Sequence, residues 1–170
     1  MEPIIQKLSP ENWKAFQEIR LKALRSDPLA FSSSYEEEID RTEEFVKRKI
    51  ESSWTYVAVL NNQFIGMVRV VFESGKQLKH MVSIVSLFVD PECRKKGIGL
   101  ALVKKAIADI HDSSPVIKAN LVVNVAQKPA IALFKKLGFT EVGISHKAVN
   151  INGVYYDHLL MEAIFKDKLR

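Results

Sequence analysis

Apolar positions in this chain recur at two spacings, every second residue and every third or fourth, and the switches between them mark its elements. Residues 4 to 8 are a short extended run. Ser9-Pro10 then supplies a helix N-cap and a first-turn proline, predicting a helix to about Arg25 with Trp13, Phe16, Ile19, Ala23 and Leu24 on its buried face. Asp27-Pro28 stops that helix, because the residue before proline avoids helical backbone, and Leu29-Ala30-Phe31 with three serines reads as loop. Asp40 with Glu43 predicts a capping box for a second helix over residues 41 to 51. Residues 54 to 60 and 64 to 73 alternate around Asn61-Asn62 as a hairpin, and Ser74-Gly75-Lys76 turns into a strand over 82 to 89. Helical spacing returns at Ile98, Leu102, Val103, Ala106, Ile107 and Ile110. Residues 117 to 125 are then almost continuously apolar, as in a strand covered on both faces. Pro129 starts a helix whose apolar positions are Ala130, Ile131, Leu133, Phe134 and Leu137, and Gly138 ends it. Two last strands, 139 to 150 and 154 to 164, pair across Asn152-Gly153.

Composition bounds the picture without changing it. At 170 residues and 47% hydrophobic content, one domain over 1–170 is expected, with no linker. No apolar run reaches transmembrane length and no signal-peptide core opens the chain, so neither a membrane partner nor secretion is expected. A single cysteine, Cys93, cannot form an internal disulfide, which fits a cytoplasmic location. The net charge of +5 gathers between Arg94 and Lys136, where nine cations face only Asp109 and Asp112. Without interleaved aromatics or a recognition motif this does not indicate nucleic acid; a phosphate-bearing small molecule suits it as well. The opposite charge collects at Glu36, Glu37, Glu38, Asp40, Glu43 and Glu44, a stretch suited to a cationic amine.

The run Arg94-Lys95-Lys96-Gly97-Ile98-Gly99 stands where the strand ending at Val89 gives way to a helix. First-turn N–H groups there carry the positive end of the helix dipole. Glycines at 97 and 99 remove β-carbons that would hold an anion away. It matches neither the three-glycine dinucleotide fingerprint nor the P-loop. What it does match is Q/R-x-x-G-x-G/A after a strand, and a second segment, Gln127-Lys128-Pro129-Ala130-Ile131-Ala132-Leu133-Phe134-Lys135-Lys136-Leu137-Gly138-Phe139, matches N-x-x-A-I-x-L-Y-x-x-x-G-F. With the element order β-α-α-β-β-β-α-β-α-β-β, the chain resembles the GNAT superfamily of acetyl-CoA-dependent N-acetyltransferases over nearly all its length. The resemblance implies an α/β (α+β) fold: a mixed, mostly antiparallel sheet of about seven strands flanked by about four helices.

It also implies a site. Leu87, Phe88 and Val89 would hydrogen-bond the pantetheine arm of acetyl-CoA, and the amides of Arg94, Lys95, Lys96, Gly97, Ile98, Gly99 and Leu100 would wrap its pyrophosphate. Gln127 replaces an asparagine that touches the cofactor arm. Phe134 stands, cleft-facing, where many members keep a tyrosine acid, and Val122 where ribosomal-protein alanine acetyltransferases keep a glutamate base. Acid and base must come from elsewhere. Glu36, Glu37 and Glu38 border the acceptor side in the family, Glu37 and Glu36 being the favoured bases through water. Tyr155 or Tyr156 could supply a phenol, and Asp157, His146 and His158 lie near the last hairpin, whereas His80 lies too far from the thioester. No histidine has metal-ligand spacing, so no metal is expected.

Magnitudes set the demand. A lysine-like amine of pKa ~10.4 costs roughly 4.6 kcal/mol to present neutral at pH 7, an α-amino group near ~7.8 about 1 kcal/mol, and a thiol of ~8.5 leaves as thiolate for about 2 kcal/mol. A base therefore matters more than an acid. The favoured expectation is acetyl transfer to a small-molecule primary amine by direct attack in a ternary complex. A protein N-terminal or lysine acetyltransferase is the alternative, and a non-catalytic acetyl-CoA-binding regulatory module the third reading. A homodimer is open to it, dimers being common in the superfamily.

Overall fold

A computed structural model describes residues 2–168. Met1, Leu169 and Arg170, inside the expected domain span, lie outside the described residues. Strand β1 (Ile4–Lys7) leads through a short 3-10 turn into α1 (Trp13–Ser26), α2 (Tyr35–Glu38) and α3 (Glu43–Glu51). Strands β2 (Trp54–Leu60), β3 (Gln63–Phe72) and β4 (Met81–Val89) follow. Helix α4 (Ile98–Ser113), strand β5 (Lys118–Asn124), helix α5 (Lys128–Lys136) and strands β6 (Thr140–Ile151) and β7 (Val154–Ile164) complete the chain. Three helices lie between the first two strands where two were expected. The serines read as loop contain a capping box, in which Ser34 Oγ accepts the Glu37 N–H and the Glu37 carboxylate accepts the Ser34 N–H. The next helix is capped by Thr42, whose hydroxyl accepts the Phe45 N–H, and not by Asp40.

The seven strands form one sheet in the order β1-β2-β3-β4-β5-β7-β6. Every neighbouring pair is antiparallel except β4–β5, which is parallel. Helices α4 and α5 cover one face with a core built on Leu102, Val103, Ala106, Ile110, Leu121 and Phe134. Helices α1 and α3 cover the other, over β2 to β4, through Phe16, Ile19, Val46, Ile50, Met67 and Phe88. No helix among the described residues is long and apolar enough to cross a membrane.

One polar cluster is built into the second face. Glu38 receives Arg20 at two oxygens, at 2.7 and 3.0 Å, and Lys49 at 3.2 Å. Burial alone would raise the Glu38 pKa, but hydrogen bonds and charge from Arg20 and Lys49 outweigh it and hold the carboxyl at about 2. Arg69, buried beside them, finds only neutral partners among the described residues, Ser53 Oγ and the Lys49 carbonyl. Burial and the Arg20 charge lower its pKa to about 10. Since Glu38 titrates lower folded than unfolded, its contribution is present above the unfolded pKa near 4.5 and is lost as pH falls toward about 2. Glu38→Gln should therefore flatten stability between those values in acid denaturation while lowering it at pH 7. An acid limb unchanged by the substitution would contradict the pairing.

Candidate functional site

The parallel strands β4 and β5 pair only from Met81↔Lys118 to Ser83↔Asn120, then part. The cause is local to β4. Between the partners Met67↔Phe88 and Arg69↔Val85, one residue of β3 faces two of β4, and Ser86 takes a left-handed φ of 58°. A bulge bends its strand and increases the twist, carrying the end of β4 away from β5. The β5 side of residues 86 to 89 and the β4 side of residues 121 to 124 are left as unpaired backbone edges. Leu87, Phe88 and Val89 stand on the first.

At the end of β4, Pro91–Cys93 makes one 3-10 turn and the chain enters α4 through Arg94–Gly97. Lys95 and Gly97 are both left-handed, at φ 62° and 78°. Among the described residues, no carbonyl or side chain accepts the N–H groups of Lys95 through Leu100; the first intrahelical bond runs from the Ala101 N–H to the Gly97 carbonyl. A row of free donors at a helix start, with exposed Lys95 and Lys96 beside it, is suited to cradling an anion. A β-carbon at Gly97 would meet nothing within 4 Å, so its glycine serves the left-handed backbone. Gly99 has a different reason from the one its spacing suggests: a β-carbon there would lie 3.2 Å from Leu133 Cδ1, so this glycine lets α5 close on α4.

The Arg94 side chain does not reach into the cradle. Its Nε donates to the Val89 carbonyl at 2.9 Å and its guanidinium pairs with Asp27 at 3.2 Å. The other Asp27 oxygen accepts from Gln127 Nε2 at 2.7 Å. The end of α1 thus ties the turn after β4 to the start of α5, across the parting of the two strands. Ile98 and Leu100 enter the first turn of α4, Ile98 buried in the core.

Phe134, expected at the cleft, is sealed in the core at 4% exposure, edge-on to Phe139 with ring centroids 5.5 Å apart. Glu36 and Glu37 are exposed on α2, the Glu37 carboxylate committed to its cap, and no hydrogen bond among the described residues links either to β4 or β5. Glu38 is neutralised by Arg20, whose Nη1 lies 3.5 Å from Ser86 Oγ. Alternation along β7 puts Tyr155 on the α5 side, largely exposed, and half-buried Tyr156 with His158 and Leu160 on the opposite face. His146 and Asp157 form an exposed pair at 2.9 Å, with Asp157 also accepting the Lys147 N–H. Burial lowers the His158 pKa, disfavouring the protonated imidazole. Asp27, Ser86 and Asn124 were not singled out by their sequence context: a helix stop, a strand serine and the last polar residue of an apolar run.

The sequence profile of the acetyltransferase (GNAT) family matches residues 13–139. The chain belongs to that family. An N-alpha-acetyltransferase of Sulfolobus acidocaldarius is 36% identical over 94 residues, covering 51% of this chain and 56% of the relative. The chain thus spans little more than half the length of that curated relative. The GNAT-family acetyltransferase of Streptococcus pneumoniae superposes with a TM-score of 0.86 at 20% identity, covering 96% of this chain and 99% of the other. The GNAT superfamily phosphinothricin acetyltransferase of Sinorhizobium meliloti, solved in complex with acetyl-CoA, gives 0.81 at 20%, covering 96% and 89%. The expected family and the expected mixed sheet flanked by helices are both borne out.

Two outcomes check this geometry. Phe134→Tyr should cost about 1–3 kcal/mol, because 4% exposure buries the added hydroxyl away from water; an unchanged melting temperature would place the ring edge at the cleft. Gly97→Glu should abolish the rise in melting temperature caused by acetyl-CoA, since it sets a carboxylate at the cradle. Normal binding by a folded Gly97→Glu variant would remove the cradle from the phosphate site.

Proposed function

We propose that this GNAT-family chain transfers the acetyl group of acetyl-CoA to a primary α-amino group, favouring a free amino acid or similar small molecule, by direct attack in a ternary complex. The observation that carries the donor half is the conjunction of two open strand edges with six unpartnered N–H groups at the start of α4. The residues fit the group: a pyrophosphate suits the Lys95–Leu100 donors, and the amide-bearing arm suits the unpaired edge at Leu87–Val89. Acetyl-CoA supplies an acetyl group activated as a thioester. The chain's own residues hold and orient it, and the backbone N–H groups of the β4 edge are the donors available to its carbonyl oxygen.

Electrostatics narrows the acceptor. Of the carboxylates that hydrogen bonds bring close to the parting strands, Asp27 is held by Arg94, Glu38 by Arg20 and Lys49, and Asp90 by Lys22, while Glu73 accepts from Ser83 Oγ at 2.7 Å. Carboxylates so held are poor bases, and Arg20, Lys49 and Arg69 together outnumber Glu38. A polyamine is disfavoured there, and an acceptor that carries a carboxylate or carbonyl beside its amine is favoured. The protein N-terminus is a second reading with the same reacting unit. It is supported by the open apolar strip of Val122 (58% exposed) and Leu160 (37%), cross-strand partners on the face away from α4 and α5, and by the name of the Sulfolobus relative.

Coenzyme A release measured with a panel of amines tests the proposal. Short peptides with free N-termini should exceed Nα-blocked lysine in kcat/KM by about tenfold or more at pH 7, the gap narrowing toward pH 9 as the ε-amine loses its proton, and L-amino acids should exceed their decarboxylated amines at both pH values. Failure of every amine in the panel to release coenzyme A would favour a non-catalytic binding module, and a preference for the ε-amine at pH 7 would demand a base.

A further inference from the structure

Asn124 closes β5 at 3% exposure. Its Oδ1 accepts the Ala126 N–H at 2.9 Å, which fixes the orientation of the amide and leaves Nδ2 over. Among the described residues, Nδ2 is the one buried side-chain nitrogen or oxygen without a hydrogen-bond partner. A buried amide donor left unpaired is destabilising, whereas a hydroxyl alone would serve the turn. The donor awaits a ligand oxygen.

Its place says which ligand. Asn124 lies four residues beyond Asn120, the last β5 residue paired with β4; continuing the register from Ser83↔Asn120 brings it level with Leu87 and Phe88. Alternation puts it with Asn120 and Val122, on the face opposite Ala119, Leu121 and Val123, which pack toward α4 and α5. The cradle opens α4, so a donor molecule held there reaches the strand edges from the α4 side and leaves the Asn124 face to the acceptor. On that face the 3-10 turn Pro28–Ala30 contacts both β4 and β5, roofing the parting strands. His158 is the cross-strand neighbour of Asn124, and the cation-rich cluster around Arg20 reaches Ser86 from the β4 side.

We propose that Asn124 determines acceptor specificity: its Nδ2 donates to an oxygen bonded one carbon away from the reacting amine, the carboxylate of an amino acid or the first carbonyl of a peptide. This rests on the acetyltransferase reading. The hydrogen bond replaces none made within the chain, so its full strength distinguishes an oxygen-bearing acceptor from one that lacks it. The surplus of buried cations favours the same oxygen.

Asn124→Ser keeps an acceptor for the Ala126 N–H and removes the NH2 group; Asn124→Asp does so at equal size and serves if the serine variant does not fold. Each of a set of L-amino acids is compared with its decarboxylated amine. For the variant, kcat/KM should fall about ten- to a hundredfold with the amino acids and less than about threefold with the matched amines, with the KM for acetyl-CoA unchanged. An equal loss on both series, or a raised KM for acetyl-CoA, overturns the proposal. If the wild-type chain turns over no amine, the acetyltransferase reading fails separately. Calorimetric titration of the same pairs into protein with coenzyme A then decides about Asn124: tighter binding of amino acids that the variant loses supports it, and no difference between wild type and variant refutes it.

Discussion

The whole arrangement depends on β4 and β5 being paired for three residues and then not. Parallel strands closed along their length would leave no backbone free at this point of the sheet. Here the bulge at Ser86 turns β4 aside while β5 continues straight against β7, to which it is paired from Lys118 to Asn124. The opening is therefore held by the rigid β5–β7 ladder on one side and by β3 on the other. Gly66 sharpens the second hold: a β-carbon there would meet Leu102 Cδ1 at 3.0 Å and the Phe88 carbonyl at 3.1 Å, so its absence lets α4 sit close over the bent strand. The same packing aims the start of α4 at the mouth of the opening.

Charge is divided between the two faces. Free N–H donors and lysines stand at the α4 end; on the opposite face Arg20 and Lys49 share the one buried carboxylate of Glu38, with buried Arg69 beside them. Such an arrangement costs stability unless an anionic group is met in use, and both proposed substrates bring oxygen: phosphates on one side, a carboxylate or carbonyl on the other. The Arg94–Asp27–Gln127 bridge joins these halves. It spends a cation and an amide on an internal carboxylate, and so holds the end of α1 against both sides of the parting strands.

Elements repeat strongly along a sequence, and their order was legible in it. Asn61, Asn62, Asn152 and Gly153 are left-handed in the two hairpins predicted from them, and Gly138 ends α5 with φ 87°. The glycine turn was legible for the same reason: a backbone demand leaves few residue choices. What escaped depends on contacts between distant segments. Ser86 carries a left-handed backbone without glycine to mark it. Gly99 reads as an anion-site glycine but answers to Leu133. Phe134 reads as cleft-facing because many family members keep a tyrosine acid there, yet it is buried edge-on against Phe139. Glu37 looks like a base until Ser34 is seen beneath it, and Asp27 looks like a helix stop until Arg94 and Gln127 arrive from 67 and 100 residues away.

The proposed donor site joins the parted strands to the start of α4. Amide spectra of isotope-labelled protein, titrated with acetyl-CoA, test it most directly. The largest shifts should fall together on Lys95 through Leu100 and on Leu87 through Val89, saturating at one ligand concentration. Shifts confined to the lysine-rich outer faces of α4 and α5, with these amides unmoved, would contradict it.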